Sequence, residues 1–146
     1  MPDKKENLAV IRIRGDIRVD TVVSDTLKIL RLYRKNYCVV LPKTPSYEGM
    51  VNKAKDYITW GEISDESYAL LAQKRGEEYK GRLEDNKGKV KYNKFIVFNN
   101  KKIKPFFRLS PPRGGFERKG IKIPFSKGGA LGYRADGIND LIKKMI

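Results

Sequence analysis

Between Lys87 and Arg134 the chain carries 14 basic residues against one acid, Glu117. A local charge of +13 over 48 residues repels itself unless a polyanion neutralises it. This limits how tightly one third of the chain can close on itself. The remainder is nearly balanced. Residues 1–86 hold 16 basic and 14 acidic residues, and residues 135–146 set Lys143 and Lys144 against Asp136 and Asp140. Almost the whole net charge of +15 therefore sits in one stretch of a 146-residue chain. Nucleic acid is the commonest partner for such a surface; an anionic membrane comes second.

The same stretch holds all six phenylalanines and many glycines. Lysine and arginine neutralise phosphates and release their counterions. Aromatic rings stack on unpaired bases, and glycines let a backbone come close to phosphate. Arg108, Arg113, Arg118, Lys119, Lys122, Lys127 and Arg134 are the candidate phosphate contacts. The arginines rank first because a guanidinium engages phosphate bidentately. Gly114, Gly115, Gly128 and Gly129 are candidates for close backbone approach, with tight turns as the equal alternative. Phe116 and Tyr133, set among Gly and Arg, are the better stacking candidates; local packing of an irregular segment is the favoured reading even there. Phe95, Phe98, Phe106 and Phe107 read as core or sheet residues. Arg12, Arg14 and Arg18 could extend the footprint, a solvated face being the preferred reading.

Length and a hydrophobic share of 40% fit one domain, or a small domain with a long appendage. The absence of histidine removes Ser-His and Cys-His catalysis and every imidazole metal site. Cys38 is the only cysteine, so an intrachain disulfide is impossible and a reducing cytoplasm fits. No 18-residue apolar stretch exists, and Met1 to Glu6 lacks the apolar run of a secretory signal. Asp16, Asp20, Asp25 and Lys28 match no phosphate loop or catalytic carboxylate spacing. No enzyme, cofactor, metal or small-molecule substrate is expected.

Leu8 to Ile13 reads as a buried strand. Asp20 is placed to cap a helix running to about Arg34, with Val23, Leu27 and Leu30 on one stripe. Tyr37 to Leu41 is a second strand. Thr44 offers an N-cap with Pro45 at the first helical position. Tyr57 to Ile63 is a third strand. The order is β-α-β-α-β, an α+β sandwich of about two layers. Ser64 starts a further helix, and residues 76–88 read as polar loop. Phe95 to Phe98 and Lys101 to Ile103, joined by Asn99-Asn100, look like a hairpin. Residues 105–134 are Pro- and Gly-rich and irregular. Asp136 heads a last short helix with Ile138, Leu141, Ile142 and Met145 on its apolar face.

Several of these stretches resemble one family. Leu41-Pro42-Lys43-Thr44-Pro45-Ser46-Tyr47-Glu48-Gly49-Met50-Val51-Asn52 is similar to the strand-to-helix passage of ribosomal protein L-thirty, where a Thr-Pro pair precedes a Gly-Met-(Val/Ile)-Asn helix. Phe107 to Phe116, Gly128 to Arg134 and Ile138 to Ile142 resemble the longer archaeal and eukaryotic members, the latter called L-seven. The resemblance runs from residue 8 to 146 in the same order. Bacterial members stop near the equivalent of Ile63; this chain continues, as the archaeal type does, without the long basic N-terminal extension of eukaryotic members. Residues 81–104 depart from the pattern, being more helical in many archaeal members.

The resemblance implies a three-stranded antiparallel sheet with two helices on one face, spanning 1–63. Residues 64–146 would be an extension carrying the basic segment 87–134 and ending in a short helix. It implies a cytoplasmic structural constituent of the large ribosomal subunit, bound to large-subunit ribosomal RNA and to neighbouring ribosomal proteins. The runner-up is an RNA-binding assembly factor or translational regulator outside the mature ribosome. Because 8–63 matches the extent of the short members, it is expected to fold alone with modest stability.

Overall fold

The computed structural model describes residues 7–15, 17–79, 96–98, 101–116 and 120–146. Strand β1 (Asn7–Arg12) leads through a loop to helix α1 (Thr21–Ile29); β2 (Tyr37–Pro42), α2 (Pro45–Lys53) and β3 (Ile58–Glu62) follow. Then come α3 (Asp65–Arg75), β4 (Ile96–Phe98), β5 (Lys101–Ile103), β6 (Phe107–Arg108), a short 3-10 turn (Phe125–Lys127), β7 (Gly132–Tyr133) and α4 (Gly137–Met145). The expected β-α-β-α-β start is present.

Local chemistry accounts for most of these starts. The Thr44 hydroxyl accepts from Tyr47 N at 3.4 Å, with Pro45 opening α2. The Ser64 hydroxyl accepts from Ser67 N at 3.2 Å and starts α3. Asp20 and Asp136 stand at the expected N-caps of α1 and α4, but neither side chain makes a capping bond. Helix α1 stops at Ile29 rather than near Arg34. Arg31 takes a left-handed φ of 65°, so its N–H reaches Lys28 O at 3.0 Å and Leu32 N–H reaches Leu27 O at 2.9 Å. This is a Schellman stop, and its reason is burial: Leu27 and Leu32 both enter the core, which a continued helix would prevent.

The main sheet has five strands in the order β6-β2-β1-β3-β7, not three. β1 is central and antiparallel to both neighbours, with Val10 opposite Val39 on one side and Trp60 on the other. The extension adds an edge on each side. β6 pairs antiparallel with β2 (Cys38 with Phe107), and β7 runs parallel to β3 (Thr59 with Gly132). Two-residue strands have no periodicity to read, which is why the pattern shows only three. The hairpin is present as β4 paired with β5, Ile96 opposite Ile103; its Asn99-Asn100 turn, Phe95 and residues 80–94 lie outside the described residues.

Both faces of the sheet are covered, so the molecule has three layers rather than two. Leu8 and Val10 point to α1 and α2, meeting Leu27, Leu30, Val51 and Ala54. Ala9, Ile11 and Cys38 point the other way, onto Leu71 and Ala72 of α3, Phe107, and Ile138, Ile142 and Met145 of α4. Gly61 permits this second layer. A Cβ there would strike the carbonyl oxygen of Ala135 and touch Ile138, so only glycine lets the start of α4 press onto β3.

The single thiol reports on this arrangement. Burial pushes the Cys38 thiol up to about 12, and the residues covering it come from beyond Ile63. In the full chain Cys38 should react with a disulfide reagent only as fast as the protein unfolds globally. A fragment of residues 1–63 would expose Ala9, Ile11 and Cys38, and should label at the rate of an unfolded thiol. Slow labelling in that fragment would support the expectation that 8–63 closes its own core.

Candidate nucleic-acid interface

β1 ends where β2 and β3 begin, so one end of the sheet collects several loops. Asn36 N donates to Arg12 O at 2.7 Å, Leu109 N to Asn36 O at 3.1 Å and Ile13 N to Tyr57 O at 2.9 Å. The C-terminus of α4 arrives at the segment leaving β6: Ser110 N donates to Met145 O at 3.0 Å and Arg113 N to Lys144 O at 3.1 Å. Ile13 packs with Ala130, Leu131 and Phe116, which brings in the loop before β7. This end thus gathers the exposed Arg34, Lys35, Arg108, Arg113, Lys144, Lys122 and Lys127 from segments far apart in sequence. Arg34, Lys35 and Lys144 were missed in the sequence because they lie outside the strongly basic stretch. The signal was present as Arg34-Lys35-Asn36, a polar triplet between helix and strand.

The candidates from sequence divide into outward and inward groups. Arg113 is exposed, and Gly114 and Gly115 carry φ of 78° and 80° with open space where a Cβ would stand. They form a turn, closed by Gly115 N to Pro112 O at 3.1 Å, and leave the backbone bare. Gly128 ends the 3-10 turn in the left-handed region and is exposed. Lys122 and Lys127 are exposed; Arg118 and Lys119 lie outside the described residues. Arg108 is exposed but shared. Its Nε donates to Glu77 Oε1 at 2.6 Å and its Nη2 pairs with the same oxygen. Lys104 Nζ holds the other carboxylate oxygen at 3.1 Å.

The inward group is different. Arg134 is only 5% exposed. Its Nε donates to Thr59 Oγ1 at 2.8 Å, its Nη2 to Ala130 O at 3.0 Å, and its guanidinium lies 4.8 Å from the centre of the Phe125 ring. It braces the loop before β7 and presents no donor fork to solvent. Gly129 is buried, and a Cβ there would collide with the Ile123 carbonyl, so its small size serves packing against this chain. Phe116 is half-buried between two core clusters. Tyr133 is 50% exposed and lies by Trp60, centroids 6.3 Å apart. Its hydroxyl donates to Glu62 at 2.5 Å, and Lys43 Nζ reaches the same carboxylate at 3.1 Å. That concavity, about 370 Å³, also includes Glu48, so phosphate is disfavoured there. Arg12, offered as part of the footprint, is buried too: its Nη1 donates to Leu32 O at 2.8 Å and its Nε to Arg14 O at 2.9 Å.

The chain has no histidine, and the thiol of Cys38 is held neutral by burial. No cluster of three metal-binding side chains occurs among the described residues, and none of their helices is long and apolar enough to cross a membrane. The described residues form a three-layer α+β scaffold with exposed cations at one end of its sheet, the pattern of a protein that meets a polyanion. Comparison with known proteins narrows this. Residues 8–58 match the family model described as Ribosomal protein L30p/L7e. The chain is 48% identical to the large ribosomal subunit protein uL30 of Nanoarchaeum equitans, over 94% of this chain and 97% of that one. It is 42% identical to the uL30 of Methanopyrus kandleri, over 92% and 100% of the two chains, and 43% to that of Staphylothermus marinus over both entire chains. The chain belongs to the ribosomal protein L30p/L7e family.

Two carboxylates give the stability of the fold a pH dependence. Burial pushes Glu77 up, but hydrogen bonds from Arg108 and Lys104 outweigh it and hold the carboxyl below its usual value. Glu62 is likewise pushed up by burial and brought lower overall by the Tyr133 hydroxyl and Lys43. A folded pKa below the unfolded one adds stability that is complete above the ordinary carboxylate value. That stability is lost as pH falls through the lowered one. Denaturant unfolding from about pH 6 down to about pH 3 should therefore show stability falling with acid, and Glu77→Gln should flatten part of that fall. An unchanged acid limb in Glu77→Gln would mean that the Glu77 pairs do not persist in solution.

The buried guanidinium separates from the exposed ones by stability. Arg134→Gln should cost roughly 1.5–3 kcal/mol through lost charged hydrogen bonds, whereas Arg113→Gln should change stability by less than about 0.5 kcal/mol. Equal effects in thermal or denaturant melts would contradict the inward placement of Arg134.

Proposed function

We propose that the chain is a structural constituent of the large ribosomal subunit, acting in the cytoplasm within the ribosome, and that it binds and stabilises large-subunit ribosomal RNA. Family membership carries the class. The observation that carries the mode of binding is the end of the sheet where Arg34, Lys35, Arg108, Arg113, Lys122, Lys127 and Lys144 converge. Arg113 stands beside the bare backbone of Gly114 and Gly115, a place where a phosphate can meet a guanidinium and backbone N–H groups together. Gly128 supplies a second open turn. Arg118 and Lys119 join the proposal on sequence grounds alone. Arg134, Gly129 and Phe116 act behind this surface and hold it in shape. Neighbouring ribosomal proteins are the other proposed partners.

The division into a core of 1–63 and an extension of 64–146 enters this reading as a proposal about roles. The first segment supplies the central strands and the second supplies most of the cations. The rigid sheet sets the spacing of the charged loops, so binding costs little ordering entropy.

The test is a salt and charge series on the full chain with a large-subunit RNA fragment. Affinity should fall steeply with salt, log K losing roughly 0.7–0.9 per phosphate contact for each decade of salt concentration. Replacing Arg108, Arg113, Lys122 and Lys127 by glutamine should weaken binding strongly and make the salt slope shallower while the fold persists. Replacing Lys28, Lys53, Lys55 and Lys74 removes the same charge from elsewhere. Equal weakening by the two variants would show that only net charge matters and that the assigned surface is wrong.

A further inference from the structure

Three aromatic rings meet beside the β6 edge of the sheet. Phe106 lies flat on Tyr37, with centroids 5.3 Å apart and planes 7° from parallel. Tyr33 stands against Phe106 at 5.6 Å and 87°. Phe106 and Tyr37 are backed by the core between the sheet and α1 and α2. Tyr33 is the outermost ring and is 46% exposed.

The fold holds this ring out deliberately. Its neighbour Leu32 is fully buried, and the buried Arg12 guanidinium grips the Leu32 carbonyl at 2.8 Å. Left-handed residues Arg31 and Asn36, φ 65° and 68°, bracket the turn. Tyr33 therefore rises from a backbone anchored from within, which keeps the entropy cost of using it low.

The surroundings are cationic. Residues 31–37 and 104–108 contain Arg31, Arg34, Lys35, Lys104 and Arg108 and no acid. The carboxylate of Glu77 reaches Lys104 and Arg108. Arg34 and Lys35 are exposed and have no ion-pair partner among the described residues. Arg108 lies directly opposite Tyr37 in the strand pairing. A half-open ring on a packed aromatic base, ringed by cations, fits a ligand with one flat apolar face and attached negative charge. A nucleotide has both. Paired bases hide their faces in the stack, so the matching form is an unpaired one.

We infer that Tyr33, backed by Phe106 and Tyr37, is a stacking platform for one unpaired RNA nucleotide, with Arg34 and Arg108 taking its phosphates. This rests on the RNA-binding reading above and adds a preference to it: the surface discriminates a looped or bulged nucleotide from a continuous duplex.

The probe is a short single-stranded RNA carrying 2-aminopurine at a central position, compared with a fully paired RNA duplex of the same length. The full chain should quench the probe as the base stacks. Tyr33→Leu keeps apolar contact with Phe106 but has no ring. It should lose the quench and about five- to a hundred-fold in single-strand affinity, the usual range when a stacking ring is removed. Duplex affinity should stay within about two-fold, since phosphate contacts remain. Tyr33→Phe should behave as the parent does, and matching melting curves for the three proteins show that the fold is intact. If Tyr33→Leu leaves single-strand binding and quench unchanged, or weakens both RNAs equally, the platform is wrong while RNA binding stands. If the parent chain binds neither RNA, the underlying RNA reading fails, and the platform with it.

Discussion

Every residue of β1 from Leu8 to Arg12 is buried, whichever way its side chain points. A strand buried on both faces at the centre of a sheet needs two covers, and the rest of the molecule follows from supplying them. The first is local: α1 and α2 leave and rejoin the sheet within the first 63 residues. The second comes from far along the chain, through α3, β6 and α4. The fully buried Phe107 anchors this cover, worth about 1.5–3 kcal/mol for such a side chain. The strongly basic stretch is thereby tied down at apolar points: Ile103, Phe107 and Leu109 early, Ala130 and Leu131 late. Arg113, Lys122 and Lys127 are left exposed on the loops between those anchors. Repulsion among them opposes compaction, and a bound polyanion relieves it.

Arginine does two unlike jobs in this fold. Arg12 and Arg134 are buried, and each spreads its planar donors over oxygens of its own chain at a place where the backbone turns. A buried guanidinium is costly unless its donors are used, and here carbonyl and hydroxyl oxygens use them. Arg34, Arg108 and Arg113 stay in water. Arg12 secures the turn that carries Tyr33 and Arg34, and Arg134 secures the loop leading to β7. Both of these arginines are themselves buried.

Much of this fold is readable in the sequence alone. Thr44-Pro45 and Ser64 mark helix starts with their own side chains, and the strands around Val10, Val39 and Thr59 announce themselves by β-branched runs. The turn at Gly114 and Gly115 was also legible, as one of the two readings a paired glycine offers. What was not legible shares one cause. Arg134 and Gly129 look identical in sequence to Arg113 and Gly114, a cation and a glycine in a loop, yet they face inward. Their direction depends on Thr59 and Ile123, partners 75 and six residues away, and no local pattern encodes such meetings. The end of α1 is a similar case, because Leu32 leaves the helix to reach a core made by other elements.

The sequence by itself determined the class of protein, the first five elements in order, and the sign and place of the excess charge. Local sterics, capping and side-chain periodicity act over a few residues, and charge needs only to be counted. The tertiary structure decided that the sheet has five strands, that both its faces are covered, and which basic residues face water. It also decided that Tyr33, Phe106 and Arg108 share one surface although about 70 residues separate them. Those outcomes depend on contacts between distant segments, whose closure is settled by the whole set of buried surfaces competing at once.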